Sequence, residues 1–362
     1  MTKNKFEAVE GTGPKSRGML GSSQWTLCVG AGISQGLAPT WADLTRTVVN
    51  TVFRQNYDAD SFRDAILGTG WSLDSILQAC ANHYTTSGRS LVEYHELLND
   101  VLYERVLSDA DSAGLKDLVK LGLNYVYFLR KLQLIRFWEF FTEIYPDSSL
   151  LGTVNALNRA EAKGRLPVSI ITFNADVFLS ALLDASRIYS AYSAGEGRPA
   201  PRYKRVLRGL DNNASLRIPI FHCHGSLIPK SLNPKVSERR HSPDKLVFNE
   251  TDYLTVATSS SSWAQTLFAY HAATNRMLFV GHSMSDPNIR RWLAGAKAET
   301  IANLTALGQP SEYLPHLWIT REPADKGLKA IKQAGLTHLG VRVAWIQEWS
   351  DIESAIANII GV

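Results

Sequence analysis

The stretch Val29-Gly30-Ala31-Gly32-Ile33-Ser34-Gln35-Gly36 decides how this chain is read. An apolar run, Trp25-Thr26-Leu27-Cys28, precedes it, and Trp41-Ala42-Asp43-Leu44-Thr45, helical in character, follows. A strand that ends in Gly-x-Gly and opens a helix brings backbone amides against a pyrophosphate. The glycines lack the Cβ atoms that would block approach, and a helix N-terminus offers unpaired N–H donors and a favourable dipole. Turn glycines behind a buried strand produce the same pattern with no ligand at all, so the weight falls on what lies downstream.

Downstream, short β-branched or apolar runs alternate with helical segments. Val168–Phe173, Ile218–His222, Leu246–Asn249, Met277–Val280, Leu317–Thr320 and Val341–Ile346 read as strands. Helices are expected at Asn288–Lys297, near Asp325–Gln333, and from Ser350 to Ile359. Strands alternating with helices and ending in glycine or small polar residues indicate an α/β fold with a Rossmann-like, doubly wound parallel sheet. Residues 55–160 carry three-and-four apolar spacing with few strand signals, so they are expected as a large helical insertion. The polar, glycine-rich residues 1–23 are expected to be a flexible start, and residues 24–362 the nucleotide-binding domain with its insertion.

Composition narrows the class. Hydrophobic residues make up 45% of the 362, charged residues 20%, and the net charge is +4. That balance gives no electrostatic case for direct nucleic-acid binding. The basic cluster Lys235–His241 reads as a solvated loop before an anion patch. Ser259–Ser262 reads as a loop. Cys28, Cys80 and Cys223 are far apart and form no CxxC pair, which excludes a disulfide framework and a four-cysteine zinc ribbon. The aromatic stretch Leu123–Ile144 is broken by Arg130, Lys131, Arg136, Glu139 and Glu143, so no bilayer span is expected, and a cytoplasmic location is.

Four strand ends carry the chemistry: VGAGISQG at 29–36, ITFNAD at 171–176, HCHGSL at 222–227 and VGHSMSDPNIR at 280–290. In a parallel sheet they converge on one cleft. The series resembles the sirtuin superfamily, specifically its bacterial branch of zinc-ribbon-less, NAD-cleaving antiphage defence proteins. The matching residues are Gly30-Ala31-Gly32-Ile33-Ser34, Thr172-Phe173-Asn174-Ala175-Asp176, His224-Gly225-Ser226 and Gly281-His282-Ser283-Met284-Ser285-Asp286-Pro287. The resemblance runs from about residue 24 to the end. Deacylating sirtuins carry two CxxC pairs that this chain lacks, which counts against a deacylase. Gly36-Leu37-Ala38-Pro39-Thr40-Trp41 resembles the branch's G-L-P-x-W with one residue inserted, and Phe173 and Ala175 depart from the usual side chains.

The resemblance implies an NAD glycohydrolase that takes NAD as its substrate, and no metal is expected because no third or fourth ligand beside His222 and His224 lies at usable spacing. Breaking the nicotinamide–ribose bond leaves an oxocarbenium-like centre for water to attack, which calls for a group that orders water and a group that accepts a proton. Asn174 fits the first role and His224 the second. The resemblance places Asp176 on the nicotinamide carboxamide. Gly30, Ala31, Gly32 and Ser34 would cradle the pyrophosphate, and Gly281, Ser283 and Asp286 would line the adenosine ribose side. It also implies a homo-oligomer, or a complex with a second defence protein such as an ATPase or a nucleic-acid-guided protein. Simpler roles stay open: Asn174 and Asp176 as caps of the next helix, His224 as a strand-end histidine or a metal ligand with His222, and Asp286-Pro287 as a helix start. A binding module that senses NAD or ADP-ribose without turnover is the competing function. Tyr125, Tyr127, Phe128, Phe137, Trp138, Phe140 and Phe141 are expected in the core, with a partner interface as the alternative.

Overall fold

The computed structural model describes residues 9–11, 13, 17–20, 24–206, 217–230, 246–258, 262–309 and 314–362. Eight strands form one all-parallel sheet: β1 (Val9–Glu10), β2 (Trp25–Val29), β3 (Ser169–Thr172), β4 (Tyr203–Val206), β5 (Ile218–His222), β6 (Arg276–Val280), β7 (His316–Arg321) and β8 (Val341–Ile346). Their order is β1-β8-β7-β6-β2-β3-β5-β4. The inner part, β5-β3-β2-β6-β7-β8, is the order of a Rossmann-like dinucleotide fold, with the direction of winding reversing between β2 and β6. In such sheets the carboxyl ends at the reversal open a crevice. The glycine stretch at 29–36 therefore starts at the switch point.

Burial on both faces explains the near-continuous apolar strands. Leu27, Val29, Ile170, Ile220, Leu278 and Ile319 pack into one core, while Cys28, Ile171, Phe279, Trp318 and Val343 alternate into the other. The first core is covered by α1 (Trp41–Phe53), by the helical block, by α8 (Phe178–Ser193) and by α13 (Ile352–Ile360). The second is covered by α10 (Trp263–Thr274) and α11 (Pro287–Ala306), with Leu336 of α12 (Lys326–Thr337) at its edge.

Residues 55–160 are helical, as α2 (Ala59–Ala65), α3 (Leu73–Thr86), α4 (Leu91–Ser112), α5 (Lys116–Tyr125), α6 (Lys131–Ile144) and most of α7 (Ser149–Ala162). Side-chain caps set the starts of α2, α3, α4 and α7. Ser72 accepts from Ser75 N, and Ser90 and Glu93 form a reciprocal capping box. Gly122 lets α5 meet α6, because a Cβ there would stand 2.3 Å from the Phe137 ring. Phe137, Trp138, Phe140 and Phe141 are buried, whereas Tyr125 and Phe128 remain exposed, edge to face at 5.0 Å.

Three features depart from the sequence reading. The described parts of residues 1–23 are anchored: β1 extends β8, Leu20 is buried, and its amide donates to Ile359 O. Short glycine-rich segments can be held by a sheet edge that local composition does not reveal. Leu246–Asn249 is not a strand, because both flanks of β5 are already taken by β3 and β4. The strand β4 and the helices α9 (Glu250–Thr258) and α10 were not anticipated. The Lys235–His241 cluster and residues 259–261 lie outside the described residues. No helix among the described residues is long and apolar enough to cross a membrane.

At the amino ends of β2 and β3, Thr26, Ser169, His271 and Asn275 form a buried polar network. Burial lowers His271 to about 4, and likewise His222 to about 3, His282 to about 4 and His316 to about 3. As pH falls below about 6.5, the unfolded chain protonates these rings while the fold keeps them neutral, so stability is lost. Asp176 and Asp184, raised to about 6 by burial, work the other way but are outnumbered. The expected loss between pH 7 and pH 4.5 is on the order of 5 kcal/mol. Urea unfolding at the two pH values measures it, and equal midpoints would contradict the assignment.

Candidate active site at the strand ends

Gly30 and Gly281 bring the carboxyl ends of β2 and β6 into direct contact. Gly30 N donates to Val280 O and Gly32 N to Gly281 O, both at 2.9 Å. A Cβ on Gly30 would lie 2.7 Å from Gly281 O, and one on Gly32 2.8 Å from the same atom. Gly281 has φ +71°, and a Cβ there would meet Ile33 N at 2.5 Å. These glycines therefore join two loops at the switch point, and the Gly32 amide is directed at protein rather than outward. Ala31 and Gly32 are exposed on the 3-10 turn Ala31–Ser34, whereas Ser34 is buried. Gly281→Ala is expected to cost about 3 kcal/mol or more, from left-handed strain and the clash together. A wild-type melting temperature in that variant would refute the interlock.

The end of β3 locks onto the same turn. Asn174 is buried, its Nδ2 donates to Gly30 O at 3.2 Å, and its backbone amide donates to Thr172 Oγ1 at 3.0 Å. Asn174 Oδ1 has no protein partner. Asp176 is also buried and accepts Phe178 N at 3.1 Å, next to the first turn of α8, whose N-cap residue is Val177. Asn174 does not cap that helix. Burial pushes the Asp176 carboxyl up to about 6, opposed by the nearby Ser34 and Asn174 side chains and the Phe178 amide. The Ser34 hydroxyl lies near that carboxyl without reaching hydrogen-bond geometry.

His224 follows β5 and is buried between two aromatic edges. Phe173 stands 5.0 Å away and Tyr253 5.2 Å away, both T-shaped to the imidazole. Phe173 also approaches His282, centroids 5.9 Å apart, and so spans the β3, β5 and β6 ends. The run Leu246–Asn249 crosses this place, with Val247 N donating to His224 O at 3.0 Å. It is tied to α1 through Phe248 on Trp41, and α9 is tied to α3 through Thr251 N on Gln78. Ser283 is exposed and shares a hydrogen bond with Ser285. Asp286 caps α11, accepting Asn288 N at 2.7 Å, and burial raises its pKa. Met284, between them, is held at φ +57°, a strained position of the kind that clusters at functional sites.

Asn174, Asp176, Ser34 and the glycine turn are thus brought together, with His224 on the neighbouring strand end. Ser283 and Asp286 follow the β6 end on the other side of the switch point. Sequence reading named Ser226 in its motif without giving it a role, and missed Asn249 and Tyr253. Ser34 Oγ, Asn174 Oδ1, both ring nitrogens of His222, Ser226 Oγ and Asn249 Oδ1 are buried without protein partners. Each such atom costs about 1–3 kcal/mol unless something else satisfies it. All lie on the ends of β2, β3 and β5 or on the segment crossing His224. Such a set of unmet donors and acceptors suits a polar ligand. Among the described residues no group of three or more His, Cys, Asp or Glu is placed to hold a metal ion.

No curated protein matches the chain. Residues 168–339 match the family model of the SIR2-like domain. The matched stretch runs from β3 through α12 and contains Asn174, Asp176, His224, Gly281, Ser283 and Asp286, while the glycine turn at 30–34 lies before it. From β3 through α12, where most of the site resides, the chain is similar to the SIR2-like domain.

Proposed function

We propose that this chain hydrolyses NAD at the bond between nicotinamide and ribose, giving nicotinamide and ADP-ribose. The observation that carries the reading is Asn174: one end of its amide is fixed by Gly30 O, and the other end is buried and unpaired beside the switch-point turn. A carboxamide fixed in this way holds one hydrogen-bond acceptor in place for a ribose hydroxyl or a water. As the C–N bond breaks, its electron pair leaves with the neutral nicotinamide, and the ribose carbon becomes oxocarbenium-like. Water adds to that carbon and loses a proton, for which His224 serves as acceptor. Rings on two sides of His224 restrict how the imidazole can turn.

Asp176 suits recognition of the nicotinamide carboxamide, since its second oxygen is not needed by the α8 start. A nucleotide-depleting activity harms its own cell unless restrained. We therefore place the chain as a regulated effector of bacterial antiphage defence, acting as a homo-oligomer or with a second defence protein.

Incubation of the purified chain with NAD, with products resolved by chromatography, tests the reading. Equal amounts of nicotinamide and ADP-ribose are expected. Tight NAD binding with no nicotinamide released would instead favour a sensor, and nicotinamide released only with an acylated peptide would favour a deacylase.

A further inference from the structure

Three successive carbonyls downstream of His224 are each held by a side chain of the helical block. The Tyr103 hydroxyl donates to Leu227 O at 2.7 Å, Asn99 Nδ2 to Ile228 O at 2.7 Å, and Asn124 Nδ2 to Pro229 O at 2.6 Å. Asn99 and Tyr103 are four residues apart in α4 and present one face. Asn124 comes from α5. These side chains are buried.

Tyr103 makes a second connection. Its oxygen accepts Val177 N at 3.0 Å, the residue next to Asp176, and Leu227 N donates to Ala175 O at 2.8 Å. One phenol oxygen thus ties the loop of Asn174 and Asp176 to the loop of His224. A phenol has one donor and two acceptor sites, so it can serve both partners at once. Its ring is fixed edge-on to Phe178 at 5.2 Å. Burial raises the hydroxyl pKa well above its ordinary value, so the donor is retained across the working pH range.

We propose that Tyr103 is a positioning residue that sets the spacing of Asn174 and His224, and that the helical block is part of the catalytic apparatus through this clamp. The proposal rests on the NAD-cleaving reading. Reacting groups displaced by about 1 Å can lose about 10²-fold in rate, and two loops joined at one oxygen are sensitive to its removal.

Tyr103→Phe keeps the ring and removes both hydrogen bonds. We expect kcat for nicotinamide release to fall by about 10- to 100-fold, with KM for NAD changed less than about twofold. We also expect faster amide hydrogen exchange at residues 176–178 and 225–230. A merely structural role would lower the melting temperature and leave kcat unchanged well below it, and that result overturns the proposal. Should Tyr103→Phe not fold, Asn99→Ala removes the adjacent clamp bond and is expected to show the same kcat-selective loss to a smaller degree; wild-type kcat there overturns it. If the wild-type chain leaves NAD intact, the functional reading fails separately. Exchange then decides the clamp, and unchanged protection at 176–178 and 225–230 in the variant refutes it.

Discussion

Replacing Asn174 with alanine is expected to lower the proposed nicotinamide release from NAD by about 10²–10⁴-fold, the range for removing a positioned polar group from a reacting centre. The effect should fall on kcat. Asn174 touches protein through Nδ2 and the backbone, while Oδ1 is left for the substrate or its water. Alanine also removes the bond to Gly30 O, worth about 1 kcal/mol, so the melting temperature drops slightly. NAD affinity should change little, because the glycine turn and the β6 end remain. Asn174→Asp separates charge from geometry: it keeps an acceptor but cannot donate to Gly30 O, and it too is expected to be impaired. Kinetics and thermal melts on the same preparations distinguish catalytic from structural loss. An alanine variant with wild-type kcat would remove Asn174 from the mechanism.

Asp176→Asn is expected to make the protein more stable and less active. The carboxyl is buried and raised from 3.8 to about 6, so at neutral pH the fold holds an ionised group where burial disfavours it. That difference corresponds to about 3 kcal/mol. The sign follows from the raised pKa of an acid: the penalty is present above about pH 6 and disappears as pH falls toward 3.8, where both states are protonated. Asparagine keeps the acceptor for Phe178 N and carries no charge. Unfolding free energy at pH 7.5 should therefore rise by about 2–3 kcal/mol, with the gain vanishing near pH 4. The loss of a charged acceptor for the carboxamide should raise KM by about tenfold. A variant less stable than wild type at every pH would show that the charge is not disfavoured there. This stability–function opposition is characteristic of sites that keep a polar group for a ligand.

Much of this arrangement is legible in the residues themselves. An apolar run into Gly-x-Gly locates β2 and its turn, and the β-branched or apolar runs at 168–173, 218–222, 277–280, 317–320 and 341–346 locate the other central strands to within a residue or so. Because a parallel sheet places all their carboxyl ends on one edge, Asn174, His224 and Gly281 could be assigned to one region without coordinates. What the glycines do there was less visible. Their pattern suits phosphate approach, but in the fold they also allow Gly30, Gly32 and Gly281 to pack backbone on backbone.

The rest escaped for identifiable reasons. Tyr203–Val206 contains Lys204 and Arg205, so its β character is set by pairing with β5 rather than by composition. Leu246–Asn249 has the composition of a strand, yet β5 beside it is already paired on both sides by β3 and β4, and the segment lies over His224 instead. Asn249 enters the site because that segment crosses it, and Tyr253 because α9 follows directly. Tyr103 acts across 124 residues of sequence to reach Leu227, a distance at which periodicity carries no information.

The central claim is that NAD is consumed at the Asn174–His224 strand ends rather than merely held there. It is tested most directly by titrating NAD into wild type, Asn174→Ala and His224→Ala in a calorimeter and assaying nicotinamide in the same samples. The account predicts that all three bind NAD and that only wild type releases nicotinamide and ADP-ribose at an appreciable rate. Equal release by all three, or binding by wild type with no release, would contradict it.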